Sequence, residues 1–180
     1  MNKRTLIIDV ATNLFAERGF DNTSIAMICE TANVSKGLIF HHFKSKNDLL
    51  REIFSKTTEL MVEMNKLPTS NQTPHEELIG LINSIFKQLK ADKMYFQLNL
   101  NIMLQPKTRE VLNDLIKERS SFLLNSVKSI FKKIDSKNSL IMSYMFIAEL
   151  DGVALNYLCI FEKYPLSKIK KMLIEKYTSK

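Results

Sequence analysis

Glycine and proline are scarce, four of each in 180 residues. So few turn formers, set against long stretches in which apolar residues recur at three- and four-residue steps, point to an all-α protein of about nine helices. There are three histidines and two cysteines. The chain has no metal-spaced Cys/His cluster, no glycine-rich phosphate loop and no nucleophile elbow, so it does not read as an enzyme and calls for no cofactor or metal. Cys29 and Cys159 lie far apart in apolar helical contexts, as buried small hydrophobes of a reducing compartment do. The N-terminus has no apolar segment of signal-peptide form, and the expected location is cytoplasmic. The hydrophobic content, 45%, is enough to bury a sizeable core. A formal charge of +7 and a pI near 9.3 favour an anionic partner. Residues 1–50 nevertheless hold almost as many acids as bases, and the excess lies in Lys128 to Lys137 and Lys163 to Lys180. Any attraction of the front half to an anion must come from local placement.

The stretch Thr23 to Leu49 organises the rest. Ile25, Ile28, Cys29 and Ala32 fall at i, i+3, i+4 and i+7 and make one apolar stripe on a short helix. Thr23 or Ser24 is placed to cap it. Asn33 then offers a positive φ, which lets the next helix leave at a steep angle, and Val34 plugs the corner. Ser35 caps a second helix, Lys36 to His42. Gly37 in its first turn costs helix stability, a cost explained by close approach to a phosphate or base edge. Phe43 ends that helix, and Ser45-x-x-Asp48 reads as a capping box opening the next. Lys36, Lys44 and Lys46 surround it with positive charge. A helix-turn-helix sets such a helix in the major groove.

At fixed spacing, Thr23, Ile25, Ile28, Cys29, Ala32, Asn33, Val34, Ser35, Gly37, Ile39, Phe40, His42, Phe43, Ser45, Lys46 and Leu49 resemble the DNA-binding domain of TetR-family transcriptional repressors. Asn33 stands for the usual turn glycine, Cys29 for a small residue, and Phe40 for a tyrosine whose hydroxyl usually meets a phosphate. The resemblance implies a three-helix helix-turn-helix domain, residues 1–47, and a larger helical ligand-binding and dimerisation domain, residues 48–180. It further implies a homodimer on a pseudo-palindromic DNA operator, released when a small-molecule effector enters the middle helices and moves the fourth. By motif it covers about the first 50 residues and beyond them only architecture. The alternative is a helical small-molecule sensor or protein-interaction adaptor without operator binding.

Around this unit the chain reads as helices in series. Lys3 to Arg18 is amphipathic and ends at Gly19 in a Schellman-like turn, with Lys3 and Arg4 either touching phosphates or forming an ordinary solvated terminus. The fourth helix runs from Ser45 to about Asn65, and Leu67 to Thr73 is a polar loop. Thr73-Pro74-His75-Glu76 combines an N-cap, a proline in the first turn and a capping-box acid. Lys93 to Leu104 is apolar on nearly every face and has to be surrounded, while Lys107 to Ile134 reads as one long helix. Ser139 to Phe161 approaches the length of a membrane span, but Glu149, Asp151 and Asn156 sit near its middle, where charge is expensive. A helix buried on one side by its own core and on the other by a second copy fits better. In the last helix Leu166, Ile169, Met172, Leu173 and Tyr177 should point inward.

The groove-facing candidates are Ser35, Lys36, Gly37, Leu38 and His41, with Thr23, His42 and Lys46 for phosphates; a solvated helical face is the bland alternative. Consecutive His41 and His42 point about 100° apart on a helix and cannot share a metal. Met61, Met64, Phe86, Tyr95, Phe96, Asn99, Met103, Phe122, Tyr144 and Asn156 are candidates for an effector pocket, although Met and aromatic stripes are more often plain core. Glu149 and Asp151 read as counter-charges to a cationic ligand, as a helix-packing salt bridge or as a dimer edge. Gly152, Leu155, Cys159, Ile169 and Leu173 are the candidates for the dimer interface.

Overall fold

The computed structural model describes residues 2–64 and 72–179, without the side chain of Met64. Most of the loop expected from Leu67 lies outside them. Among the described residues there are ten α-helices, one five-residue π-helical turn and no strand. The helices are α1 (Lys3–Arg18), α2 (Ile25–Ala32), α3 (Lys36–His42), α4 (Lys46–Met64), α5 (Pro74–Ala91), α6 (Lys93–Leu104), α7 (Pro106–Val111), α8 (Asn113–Ile134), α9 (Ser139–Leu155) and α10 (Leu166–Thr178). The chain folds into two compact units, residues 1–60 with 94–117 and residues 61–93 with 118–180, which cut it elsewhere than the boundary expected at 47/48.

The core of the first unit joins α1, α2 and α3 to the first half of α4 and to α6. Ile7, Ala11, Phe15, Ile28, Ile39, Phe43, Leu49, Leu50, Ile53, Phe54, Leu98 and Ile102 are all but sealed from water. Burial of a side chain of this size contributes roughly 1.5–3 kcal/mol each before chain entropy is set against it. Ser24 caps α2 by accepting from the Met27 N–H at 3.1 Å. Asn33 is the left-handed corner, at φ 49 and ψ 55, and the only described non-glycine residue with positive φ. Ser45 Oγ accepts from the Asp48 N–H (3.0 Å), and the Asp48 carboxylate reaches back to the Lys44 N–H (3.0 Å), so two backbone donors around the start of α4 are satisfied.

Two sequence expectations in this unit need correction. Gly19 does carry positive φ, but at φ 79 and ψ 162 it lies outside the left-handed helical basin, so the end of α1 is not Schellman-like. The segment Lys107 to Ile134 is not one helix. It breaks at Leu112, because the Arg51 guanidinium takes the Val111 carbonyl (2.9 Å) and grips the Asp114 carboxylate in a two-pronged pair at 2.7 and 2.6 Å. That captured carbonyl is lost to a continuous helical ladder, and Arg51 holds the Asp114 carboxyl well below the usual range.

In the second unit α10 lies on α5, and the rings of Phe131, Phe146 and Tyr177 meet pairwise at 5.2–5.7 Å. The start of α5 is the full capping box expected: Thr73 Oγ1 accepts from the Glu76 N–H (3.3 Å) and Glu76 Oε2 from the Thr73 N–H (2.7 Å). On α9 Ile141, Tyr144, Met145, Ala148 and Leu155 recur at helical spacing along one exposed stripe. Met172 of α10, expected inward, is 63% exposed. Leu104 at the end of α6 is 72% exposed, so that helix is not surrounded along its whole length.

Candidate nucleic-acid interface

The second helix of the pair, α3, has an inner and an outer face. Ile39 and the following Phe43 are buried, whereas Lys36, Gly37, Phe40, His41 and Lys44 fall on the opposite side and are exposed. Leu38 and His42 flank that outer face and are partly buried. Ser35 is exposed, but its hydroxyl is committed to capping the helix, accepting from the Leu38 N–H at 3.1 Å. A Cβ built on Gly37 would meet only Ser35 Oγ, at 3.9 Å. Nothing inside the fold therefore requires glycine there; the requirement, if it has a physical cause, lies outside the chain. Such a face carries two ammonium groups, an imidazole and a bare patch of backbone, donors suited to phosphate oxygens and to the acceptors on guanine in the major groove.

Phe40 was absent from the sequence candidates, yet it is 44% exposed on this face with the Lys36 ammonium 5.8 Å above its ring. Its i, i+4 relation to Lys36 was the available signal. Beside α3 lies a shallow depression lined by Ala26, Cys29, Glu30, Asn33, Val34, Ser35 and Lys36.

Two of the three expected phosphate ligands, Thr23 and Lys46, are otherwise engaged. Thr23 is fully buried, and its hydroxyl donates towards the Gly19 carbonyl (2.9 Å) and the Leu14 carbonyl (3.2 Å). Lys46 donates to the carbonyls of Phe20 and Thr23, both at 2.9 Å, and lies 4.1 Å over the Phe20 ring. Burial pushes its ammonium below the ordinary lysine value, against the pull of Asp21. Both residues fasten the loop between α1 and α2, a role hidden in sequence because their partners are backbone carbonyls, 4 and 9 positions away for Thr23 and 23 and 26 away for Lys46. Arg4 likewise pairs with Glu52 (2.8 Å) and lies over Phe43. His41 and His42 meet edge to face at 5.0 Å.

The effector candidates are divided between the units. Met61 and Phe86 are buried and Asn156 is partly buried in the second; Tyr95, Phe96 and Asn99 are partly buried on α6 in the first, with Met103 exposed beyond them. The Tyr95 hydroxyl donates to the Thr57 carbonyl at 3.4 Å. The Asn99 and Asn156 amides donate to the carbonyls of Tyr95 and Gly152, four residues back in each case and both at 2.7 Å. Tyr144 is 54% exposed on the α9 stripe and Phe122 is also exposed, so neither lines an interior of this chain. Met64 has its side chain outside the described residues.

Glu149 is a helix-packing partner of Lys176 on α10. Burial, with Glu149 next, raises the neighbouring Tyr177 phenol, although neither its hydroxyl nor Glu149 Oε2 has a well-aligned hydrogen bond. Lost hydration raises the Asp151 carboxyl, opposed by Arg119. Among the dimer candidates Gly152 has open space around it, Leu155 and Cys159 are exposed, and Ile169 is partly buried. Leu173 is buried within the chain's own core and is withdrawn from that set.

A capped pair of short helices, turned through a left-handed corner and presenting a basic face, defines a helix-turn-helix DNA-binding regulator. Residues 7–53 match the family described as bacterial regulatory proteins, tetR family. The chain is similar to the fatty acid metabolism regulator protein of Bacillus subtilis, 25% identical over 94% of this chain and 90% of that one. It is 41% identical over 49% of its length to the transcriptional repressor KstR2 of Rhodococcus jostii, of which that match spans 44%. A crystal structure of a TerR/AcrR-family transcriptional regulator from Aquifex aeolicus superposes with a TM-score of 0.73 at 25% identity, covering 98% of each chain. Residues 7–53 thus carry the helix-turn-helix domain of the tetR family of bacterial regulatory proteins.

Gly37 gives the sharpest test of the outer face. Gly37→Ala should raise stability by up to about 1 kcal/mol, since the site is helical and open. The same methyl group should weaken DNA binding if backbone and nucleotide approach closely there. Urea denaturation and DNA titration of one variant read both effects, and unchanged DNA affinity would contradict the close approach.

Proposed function

We propose that two copies of this chain bind a pseudo-palindromic operator through α3 and the residues around it, and leave it when an apolar, acyl-type molecule enters the C-terminal part. The observation that carries the reading is the outer face of α3, where Lys36, Gly37 and His41 stand exposed on a helix fixed at both ends. Residues 1–47 make the DNA contacts, and residues 48–180 hold the effector and the second copy. The protein works in the cytoplasm by binding, not by catalysis. The acyl class is supported by the likeness to a regulator named for fatty acid metabolism and by Met61 and Phe86, whose flexible and flat side chains suit a long apolar guest. Helix α4 starts beside the DNA-binding residues and ends outside the first compact unit. As a lever it would change the separation of the paired recognition helices, so that both half-sites are no longer reached at once.

The second copy is supported by the α9 stripe, since Ile141, Tyr144 and Met145 exposed side by side, with Leu155 two turns beyond Ala148, are unusual on a surface that stays in water. An added Cβ at Gly152 meets nothing within 4 Å in a single chain. Gly152→Leu should therefore leave the fold intact and shift the sedimentation profile from dimer towards monomer; an unchanged profile places the interface elsewhere.

The function itself is tested by selecting bound sequences from a random duplex library and then adding palmitoyl-CoA. A palindromic site should emerge, and the acyl compound should lower its occupancy by about tenfold or more, a normal size for coupling between two sites. Unchanged occupancy removes the acyl class and leaves operator binding standing. No enriched sequence favours a sensor or adaptor without an operator.

A further inference from the structure

Three side chains from the corner between α6 and α7 converge on the end of α1 and the loop after it. The Asn101 amide donates to the Ala16 carbonyl at 2.8 Å. The Gln105 amide packs against Gly19, where an added Cβ would lie 2.7 Å from its Nε2, while Gln105 Oε1 is sealed from solvent with no hydrogen-bond partner. Lys107 pairs with Asp21 at 3.1 Å. The corner itself is stiff. The buried Thr108 hydroxyl bridges the carbonyls of Ile102 (2.6 Å) and Gln105 (2.8 Å), and Arg51 clamps the far end of α7 through Val111 and Asp114.

The loop under this corner is the one that Thr23 and Lys46 fasten from within, and it ends in Ser24, the cap of α2. Both α2 and α3 are short: α2 has two fully buried side chains and α3 has one. Such helices cannot fix their own direction by packing alone. Whatever holds residues 16–24 therefore sets the line along which they leave.

Resting on the DNA-binding reading above, we infer that Asn101, Gln105 and Lys107 are positioning residues for operator recognition, fixing the pitch of α2 and α3 from the α6–α7 corner. Close packing at Gly19 adds to the coupling, because the Gln105 amide fills the space that a side chain at Gly19 would take. Lys107 and Asp21 are both largely exposed, so their pair adds less than the two amides. Helix α6 is also where the partly buried effector candidates Tyr95, Phe96 and Asn99 lie, which gives the corner a short path to a bound molecule.

The test uses the full-length protein and an operator selected by it. Asn101→Ala combined with Gln105→Ala should lower operator affinity by about tenfold, the equivalent of one lost hydrogen bond, while affinity for random duplex stays within about twofold because phosphate contacts are untouched. Lys107→Asp should lower the operator preference slightly, and Asp21→Lys added to it should restore the preference. An operator-to-random ratio that stays at the wild-type value in every variant overturns the inference. So does a parallel fall of both affinities with the thermal midpoint, the mark of a merely structural role. Wild-type protein that enriches no sequence overturns the DNA-binding reading instead, before any variant is made.

Discussion

A helix of seven residues does not persist in water by itself, so everything α3 presents has to be held by its surroundings. Ile39 and Phe43 supply the apolar anchor, Ser35 caps one end, and Asn33 fixes the angle of entry. Behind these stands a second layer. Thr23 and Lys46 use their polar atoms on backbone carbonyls of the preceding loop, and the α6–α7 corner bears on the same loop from outside the helix-turn-helix. Rigidity in the part that meets DNA is thus imported from buried hydrogen bonds, which in a low-dielectric interior are costly to break.

That distribution of roles explains how charge works here. Of the basic residues around α3, Lys46 and the more distant Arg4 are tied into the fold, whereas Lys36 and Lys44 remain exposed. The net +7 lies mostly outside the front half of the chain. Specific placement of a few donors, with one uncovered stretch of backbone at Gly37, does what bulk charge does not.

The sequence was most legible where local physics decides. Asn33 takes the left-handed region, the Thr73 capping box forms with both its bonds, and α1, α3 and α6 begin and end where periodicity and caps place them. It was least legible where a distant residue intervenes. Nothing local announces that Arg51 will capture the Val111 carbonyl and split a long apolar repeat into α7 and α8. The reassignment of Thr23 and Lys46 is of the same kind, since a lysine near a recognition helix looks alike whether it reaches for a phosphate or for Phe20 O. Tyr144 and Met172 misled for another reason. Apolar spacing marks a face for burial without saying whether the cover is the chain's own core or something outside it.

The central claim is that one held face of α3, used twice, reads DNA. Hydroxyl-radical and methylation footprinting of the selected operator tests it most directly. The account predicts two protected windows with major-groove contacts on one side of the duplex, their centres separated by about 10–10.5 base pairs or a multiple. A single window, or protection confined to the minor groove, would contradict it.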